Sequence, residues 1–236
     1  MLGTVLSQII DYILPYRCAS CSELTDGKNG VCSKCFQKLN FITLPYCNIC
    51  GFPFEFSIEG QFSCAKCIVL PPKYDMSRSL FKFDQNSKNL VHAFKYSDQT
   101  NNAKMFAKLL LARYQTEIQN VDLVVPVPMH RWKRVFRNYN PAQILALELA
   151  KFMAKPMIPD VLIKKKWTIS QIGLSKSKRS KNLNGSIKLG DKHSVNGKTI
   201  LLVDDVKTTG ATSNLCSQVL KNAGAASVTL VTISLA

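Results

Sequence analysis

The chain has 236 residues, 46% of them hydrophobic, with a formal net charge of +16. That length has room for one α/β domain of about 150 to 170 residues and a small module beside it. No apolar stretch approaches the roughly 18 residues of a membrane span, and an excess of Lys and Arg this large points to anionic partners.

The chain opens on Leu2, Val5, Leu6, Ile9, Ile10, Ile13 and Leu14, spaced at three and four residues. This spacing predicts an amphipathic helix packed on the protein itself, with a membrane surface as the alternative. A secretory leader fits poorly, because Asp11 interrupts the run and no basic segment precedes it; the expectation is a cytoplasmic protein.

Eight of the nine cysteines then form four C-x-x-C pairs: Cys18/Cys21, Cys32/Cys35, Cys47/Cys50 and Cys64/Cys67. Each pair makes a tight knuckle with two thiolates, and two knuckles complete a tetrahedral zinc site. Leu14-Pro15-Tyr16 before Cys18 is echoed by Leu44-Pro45-Tyr46 before Cys47, as in a duplicated ribbon. Sequential ligation follows, with Cys18, Cys21, Cys32 and Cys35 on one ion and Cys47, Cys50, Cys64 and Cys67 on the other. An interleaved brace, or one filled site, is the alternative. Few apolar residues lie between the knuckles, so the module's fold is expected to depend on metal. Two four-thiolate sites would trim the charge from +16 to roughly +12. Pro71-Pro72 closes the module, giving domains at 1–70 and 71–236.

The second domain starts with an alternating strand, Ser79-Leu80-Phe81-Lys82-Phe83-Asp84, and a helical stretch to about Tyr114. His92 within it has no nucleophile or carboxylate paired with it in sequence and reads as structural. A second strand, residues 121–127, leads into Pro126-Val127-Pro128-Met129-His130 and the cations Arg131, Lys133, Arg134 and Arg137. Asn140 caps the next helix with Pro141 at its first position and Ile144, Leu145, Leu147, Leu149 and Phe152 as its apolar residues. Residues 161–163 are a third strand, and the tract from Lys164 and Lys165 through Arg179 to Lys192 reads as a mobile loop or hairpin. Residues 130–192 hold 15 Lys and Arg against Glu148, Asp160 and Asp191. That density suits a polyanion, with Trp132, Tyr139 and Trp167 as stacking surfaces or as ordinary core.

Residues 199–203 are a short β-branched and apolar run, the pattern of a parallel strand covered on both faces. Asp204, Asp205, Val206, Lys207, Thr208, Thr209, Gly210, Ala211 and Thr212 follow, and then a helix in which Leu215, Val219 and Leu220 recur; Cys216 falls in its core. A turn of this kind aims backbone N–H groups and a helix dipole at one spot, where a phosphate can sit. The two carboxylates would repel a phosphate but suit vicinal hydroxyls or a divalent metal. Together these describe a phosphorylated sugar. Gly197-Lys198-Thr199 echoes a Walker A ending, but position 192 is Lys and the tripeptide precedes its strand.

Two acidic residues followed by V-x-T-T-G-A-T resemble the 5-phosphoribosyl-1-pyrophosphate (PRPP) signature of type I phosphoribosyltransferases. The four C-x-x-C pairs, Phe94-Lys95-Tyr96, Val125-Pro126-Val127-Pro128, Arg137-x-Tyr139-Asn140, Thr168-x-x-Gln171-x-x-Leu174 and Arg179-x-x-Asn182-x-x-Gly185 extend the likeness to the whole chain, which resembles ComF-type competence proteins. One departure is Pro141, where the family has Gln after Asn.

The resemblance implies a double zinc ribbon before a type I phosphoribosyltransferase-like domain, a parallel sheet flanked by helices. It also implies handling of incoming single-stranded DNA in natural transformation or DNA utilisation, with a helicase or uptake-channel partner. Asp204 and Asp205 would hold the ribose of Mg-PRPP, with the loop from Lys207 to Thr212 on its 5-phosphate. Arg131, Lys133, Arg134, Arg137, Lys164, Lys165 and Arg179 would face pyrophosphate or DNA. The alternatives are an active phosphoribosyltransferase (a glycosyltransferase) of nucleotide metabolism, for which no acceptor pocket is legible, and a zinc-ribbon adaptor with a vestigial PRPP site.

Overall fold

A computed structural model describes residues 16–25, 30–55, 60, 62–96, 101–129, 139–164, 185–191 and 193–236. In chain order the elements are α1 (Ser33–Gln37), α2 (Ala65–Val69), β1 (Met76–Lys82), α3 (Gln85–Tyr96), α4 (Asn101–Ile118), β2 (Leu123–Pro126), α5 (Pro141–Met153), β3 (Leu162–Lys164), β4 (Ile187–Leu189), β5 (Thr199–Lys207), α6 (Ala211–Asn222) and β6 (Ser227–Leu235). The expected N-terminal helix, the cluster Arg131, Trp132, Lys133, Arg134 and Arg137, and the tract with Lys165, Trp167, Gln171, Arg179 and Asn182 lie outside the described residues.

The core is a parallel sheet in the order β1-β6-β5-β2. Residues 156–158 hydrogen-bond alongside Val124 at the β2 edge. Helices cover both faces, as parallel strands require. On one, Phe94, Phe106, Leu110, Leu145 and Leu149 pack with Leu201 and Val231; on the other, Cys216 and Leu220 pack with Leu202, Leu230 and Val161.

Two expectations change. The segment read as an alternating strand begins earlier, at Met76, and is buried on both faces. Its polar positions are small hydroxyls or paired charges: Ser79 Oγ lies 2.6 Å from Thr232 Oγ1, and buried Arg78 binds Glu117 at 2.7 Å. In α5 the cap is as read, with Asn140 accepting from the Ala142 N–H and Pro141 first, but Leu147 and Phe152 are exposed because Leu145, Ala146, Leu149 and Ala150 face the core. Residues 162–164 are a strand, paired antiparallel with β4 in a separate hairpin.

The cysteine-rich segment leans on the outer edge of β1. Ile42 N–H donates to the Leu80 carbonyl, Lys82 N–H to Asn40 and Ser77 N–H to Ile49, all at 2.7 to 2.9 Å. The seam needs Gly51, at φ +70°, where a Cβ would stand 2.6 Å from the Ser77 carbonyl oxygen. Gly51→Ala combines a left-handed backbone with that clash, and should cost about 2 kcal/mol. Thermal unfolding should show the midpoint falling by about 4 to 8 °C; an unchanged midpoint would mean that the seam contributes nothing.

Candidate functional site

β5 carries the site because it runs past its neighbour. Pairing with β2 ends at Val203, whereas pairing with β6 continues through Asp204↔Thr232 to Lys207↔Leu235. Asp204 and Asp205 therefore sit at the carboxyl edge of the sheet, where open α/β sheets leave a crevice for ligands.

Asp204 accepts the Asp205 N–H at 2.9 Å, and Asp205 Oδ1 accepts the Val206 N–H at 2.6 Å. Asp205 Oδ2 lies 3.4 Å from Lys95 Nζ, a partly buried pair contributed by the last turn of α3. Burial, and then the charge of Asp205, push the Asp204 carboxyl well above the usual carboxylate range. A hard cation, or sugar hydroxyls with their own cation, would relieve that repulsion.

The turn into α6 supplies the other half. Gly210, at φ +72°, is the residue before the helix and offers no side-chain cap; the first N–H of the helix, that of Ala211, is held only loosely, at 3.4 Å, by Thr209 Oγ1. Thr208 and Thr209 are exposed, and Thr212 is half-buried. A small hollow of about 50 Å³ is lined by Asp204, Val206 and every residue from 207 to 213. Donors and a dipole end converge there, as an anion requires.

Lys207 stands apart from the loop it was counted with. It is 5% exposed, and its ammonium turns away to the Cys50 carbonyl oxygen and, at 2.9 Å, to Ser77 Oγ. Its backbone borders the hollow while its charge serves the seam with the cysteine-rich segment. Lys164 ends β3 in the hairpin. Tyr139 donates its hydroxyl to the Phe94 carbonyl at 2.7 Å, and Asn140 Nδ2 donates to the Val127 carbonyl, so both fix backbone around the site. His92 is exposed and stacks on Tyr96 at 4.5 Å. Cys216 is buried in the core.

The eight paired cysteines gather in two groups, Cys18, Cys21, Cys32 and Cys35, and Cys47, Cys50, Cys64 and Cys67, with the sulfurs of each within 4.8 Å of one another. The donor set fits zinc: four thiols in knuckles, with backbone N–H groups aimed at sulfur. Cys18 Sγ accepts from Ser20 and Cys32, and Cys47 Sγ from Cys50 and Cys64. Burial opposes ionisation of Cys18, but these N–H groups hold its thiol down at about 6; the same balance holds Cys47 at about 7. Zinc bound there would supply cross-links in place of a core.

Residues 9–68 match the double zinc ribbon domain and residues 139–234 the phosphoribosyl transferase domain. The chain is 28% identical over 216 residues to Competence protein F of Haemophilus influenzae, covering 89% of this chain and 92% of that one. It is also 28% identical over 221 residues to DNA utilization protein YhgH of Escherichia coli, covering 91% and 95%. Over about nine-tenths of its length the chain is thus similar to these competence and DNA-utilisation proteins. A further relative, Competence protein ComFC of Bacillus subtilis, is 27% identical over 212 residues, covering 86% of this chain and 83% of that one. The ribbon and transferase matches thus stand one in each half of the chain, and among the described residues no helix is long and apolar enough to cross a membrane.

Sequence reasoning missed Lys95 as the partner of Asp205. The two are 110 positions apart, and only the docking of α3 over the sheet edge joins them; Phe94-Lys95-Tyr96 was a mark of resemblance without a role.

Proposed function

We propose that this ComF-like protein binds Mg-PRPP at the carboxyl end of β5 and acts on single-stranded DNA in competence or DNA utilisation, in the cytoplasm. The observation that carries the reading is one turn holding two adjacent carboxylates and a phosphate-sized, donor-lined hollow at the end of a buried parallel strand. The 5-phosphate would take the N–H groups and hydroxyls of residues 208–212, and the ribose hydroxyls would take Asp204 and Asp205. Magnesium would neutralise the pyrophosphate. Lys95, 3.4 Å from Asp205 Oδ2, holds that side chain in place.

If transfer occurs, pyrophosphate leaves C1 with the bonding electrons and an oxocarbenium-like centre develops, whose charge Asp204 and Asp205 would help to stabilise. The DNA role rests on the names of the relatives and on the 15 Lys and Arg of residues 130–192. Those cations would track the phosphates of a single strand.

Calorimetric titration of Mg-PRPP into the wild type should give binding that weakens at least about a hundredfold in the double variant Asp204→Asn, Asp205→Asn. Binding to oligonucleotides should fall steeply with NaCl. Pyrophosphate release in the presence of single-stranded DNA or free bases distinguishes an enzyme from a PRPP-regulated DNA-binding protein. A wild type that ignores Mg-PRPP would leave the DNA role without this site.

A further inference from the structure

Lys207 is where the hollow at β5 meets the second cysteine group. It lies between Asp205 and Thr208 in sequence, yet its ammonium reaches the Cys50 carbonyl oxygen and Ser77 Oγ and sits 5.6 Å from the centre of the Tyr74 ring. Cys50 is itself one of the four converging thiols, and its N–H is bound to Cys47 Sγ at 3.4 Å. Four thiolates on a divalent ion leave about two negative charges, and a buried ammonium beside them is held both by that field and by the carbonyl.

The other end of the loop is tied to the same stretch of chain. Asn214, in the first turn of α6, accepts the Lys73 N–H at 2.9 Å through its side chain. Residues 208–213 are thus bracketed by two attachments to the segment 50–77. Between the attachments a cavity of about 540 Å³ opens, with Cys64 and Cys67 on one wall and Thr208 and Thr209 on the other. The loop therefore has space to move if an attachment is lost.

We propose that Lys207 is a positioning residue that couples the second cysteine group to the loop at β5, so that metal held by Cys47, Cys50, Cys64 and Cys67 and phosphate held at residues 208–213 favour one another. This rests on reading that loop as a phosphate site. If Cys50 moves, the ammonium loses its carbonyl and the thiolate field while still buried, a position too costly to keep. It swings toward the cavity and carries the backbone of 207–209 with it. Linkage makes the effect reciprocal: a ligand that fixes the loop holds Lys207 on Cys50 and slows release of metal from the second group. Among the described residues the first group has no such contact with the loop; it is tied to α3, with Asn89 Nδ2 on the Ser20 carbonyl.

The test uses the full chain and the variant Lys207→Met, loaded with zinc. Hydrogen exchange followed by mass spectrometry reads the loop, and thiol alkylation under a chelator reads each cysteine group separately. In the variant, exchange at 208–213 should rise about tenfold, and metal loss from the second group should accelerate about tenfold while the first is unchanged. Unchanged loop exchange, or equal acceleration of both groups as in a generally loosened protein, would overturn the coupling. In the wild type, Mg-PRPP should slow metal loss from the second group, and in Lys207→Met it should not. If the wild type binds no Mg-PRPP, the PRPP reading falls, while loop exchange and the two rates of metal loss still judge the coupling. Should Lys207→Met fail to fold, Ser77→Ala removes only the 2.9 Å contact and should give a smaller rise, about threefold, in both loop exchange and second-group metal loss; no change in either would count against the coupling.

Discussion

Removing metal from both cysteine groups is expected to strip amide protection from residues 16–25, 30–38 and 62–70 while residues 39–42 and the parallel sheet keep theirs. The outer parts of the ribbon have little else to hold them. α1 and α2 are five residues each; α1 buries nothing and α2 buries only Cys67. Helices this short do not persist without tertiary support. A structural zinc site contributes on the order of 10 kcal/mol, more than the few contacts of Cys18 and Val31 with the core can replace.

The middle of the ribbon differs. Ile42 is 2% exposed, its N–H and carbonyl are bound by Leu80 and Arg113, and Arg78 donates to the Asn48 carbonyl at 3.0 Å. These bonds belong to the edge of β1 and do not pass through sulfur. Hydrogen exchange with and without chelator separates the two regions. Protection retained throughout the ribbon after the metal has gone would mean that packing alone folds it.

This expected result is narrower than a ribbon that depends on metal throughout, and the reason is instructive. Knuckle pairs are encoded locally, two thiols three residues apart, so their number and type could be read directly. The seam with β1 joins residues 40–51 to residues 77–82 through backbone groups, which leave no mark in side-chain identity beyond Gly51. The site divides in the same way. Strand β5, its carboxylates and the turn through Gly210 are contiguous and were legible. Lys95 beside Asp205, and the departure of Lys207 from its own motif toward Cys50, arise from packing between distant elements. The alternation read from Ser79 onward would normally mark an exposed face. In β1 the hydroxyls are buried and paired, so the alternation marks partners, not solvent.

Asp204→Asn is expected to stabilise the free protein above neutral pH while weakening its hold on Mg-PRPP. The Asp204 carboxyl is raised from 3.8 to about 8, first by burial and then by the charge of Asp205, which Lys95 offsets only in part. In the unfolded chain the carboxyl gives up its proton near its ordinary value; in the folded chain it keeps the proton until about pH 8. Between those values the unfolded state binds fewer protons, so stability falls as pH rises, and above about pH 8 the full penalty for a buried charge is present.

Asparagine does not titrate and nearly matches the protonated acid in shape. Near pH 4 the variant and the wild type should unfold together; at pH 8 the variant should be more stable by on the order of 2 kcal/mol, seen as a midpoint about 4 to 8 °C higher. Equal midpoints across that range would show that Asp204 is ionised at no cost.

The penalty is itself the argument for function. A strained carboxyl at the mouth of a ligand crevice is relieved when hydroxyls and a metal-neutralised pyrophosphate arrive, so binding at pH 7 should release a proton. Calorimetry in buffers of differing ionisation enthalpy measures that release directly. The wild type should show it, and Asp204→Asn should bind more weakly and release none; equal proton release by both would remove Asp204 from the site.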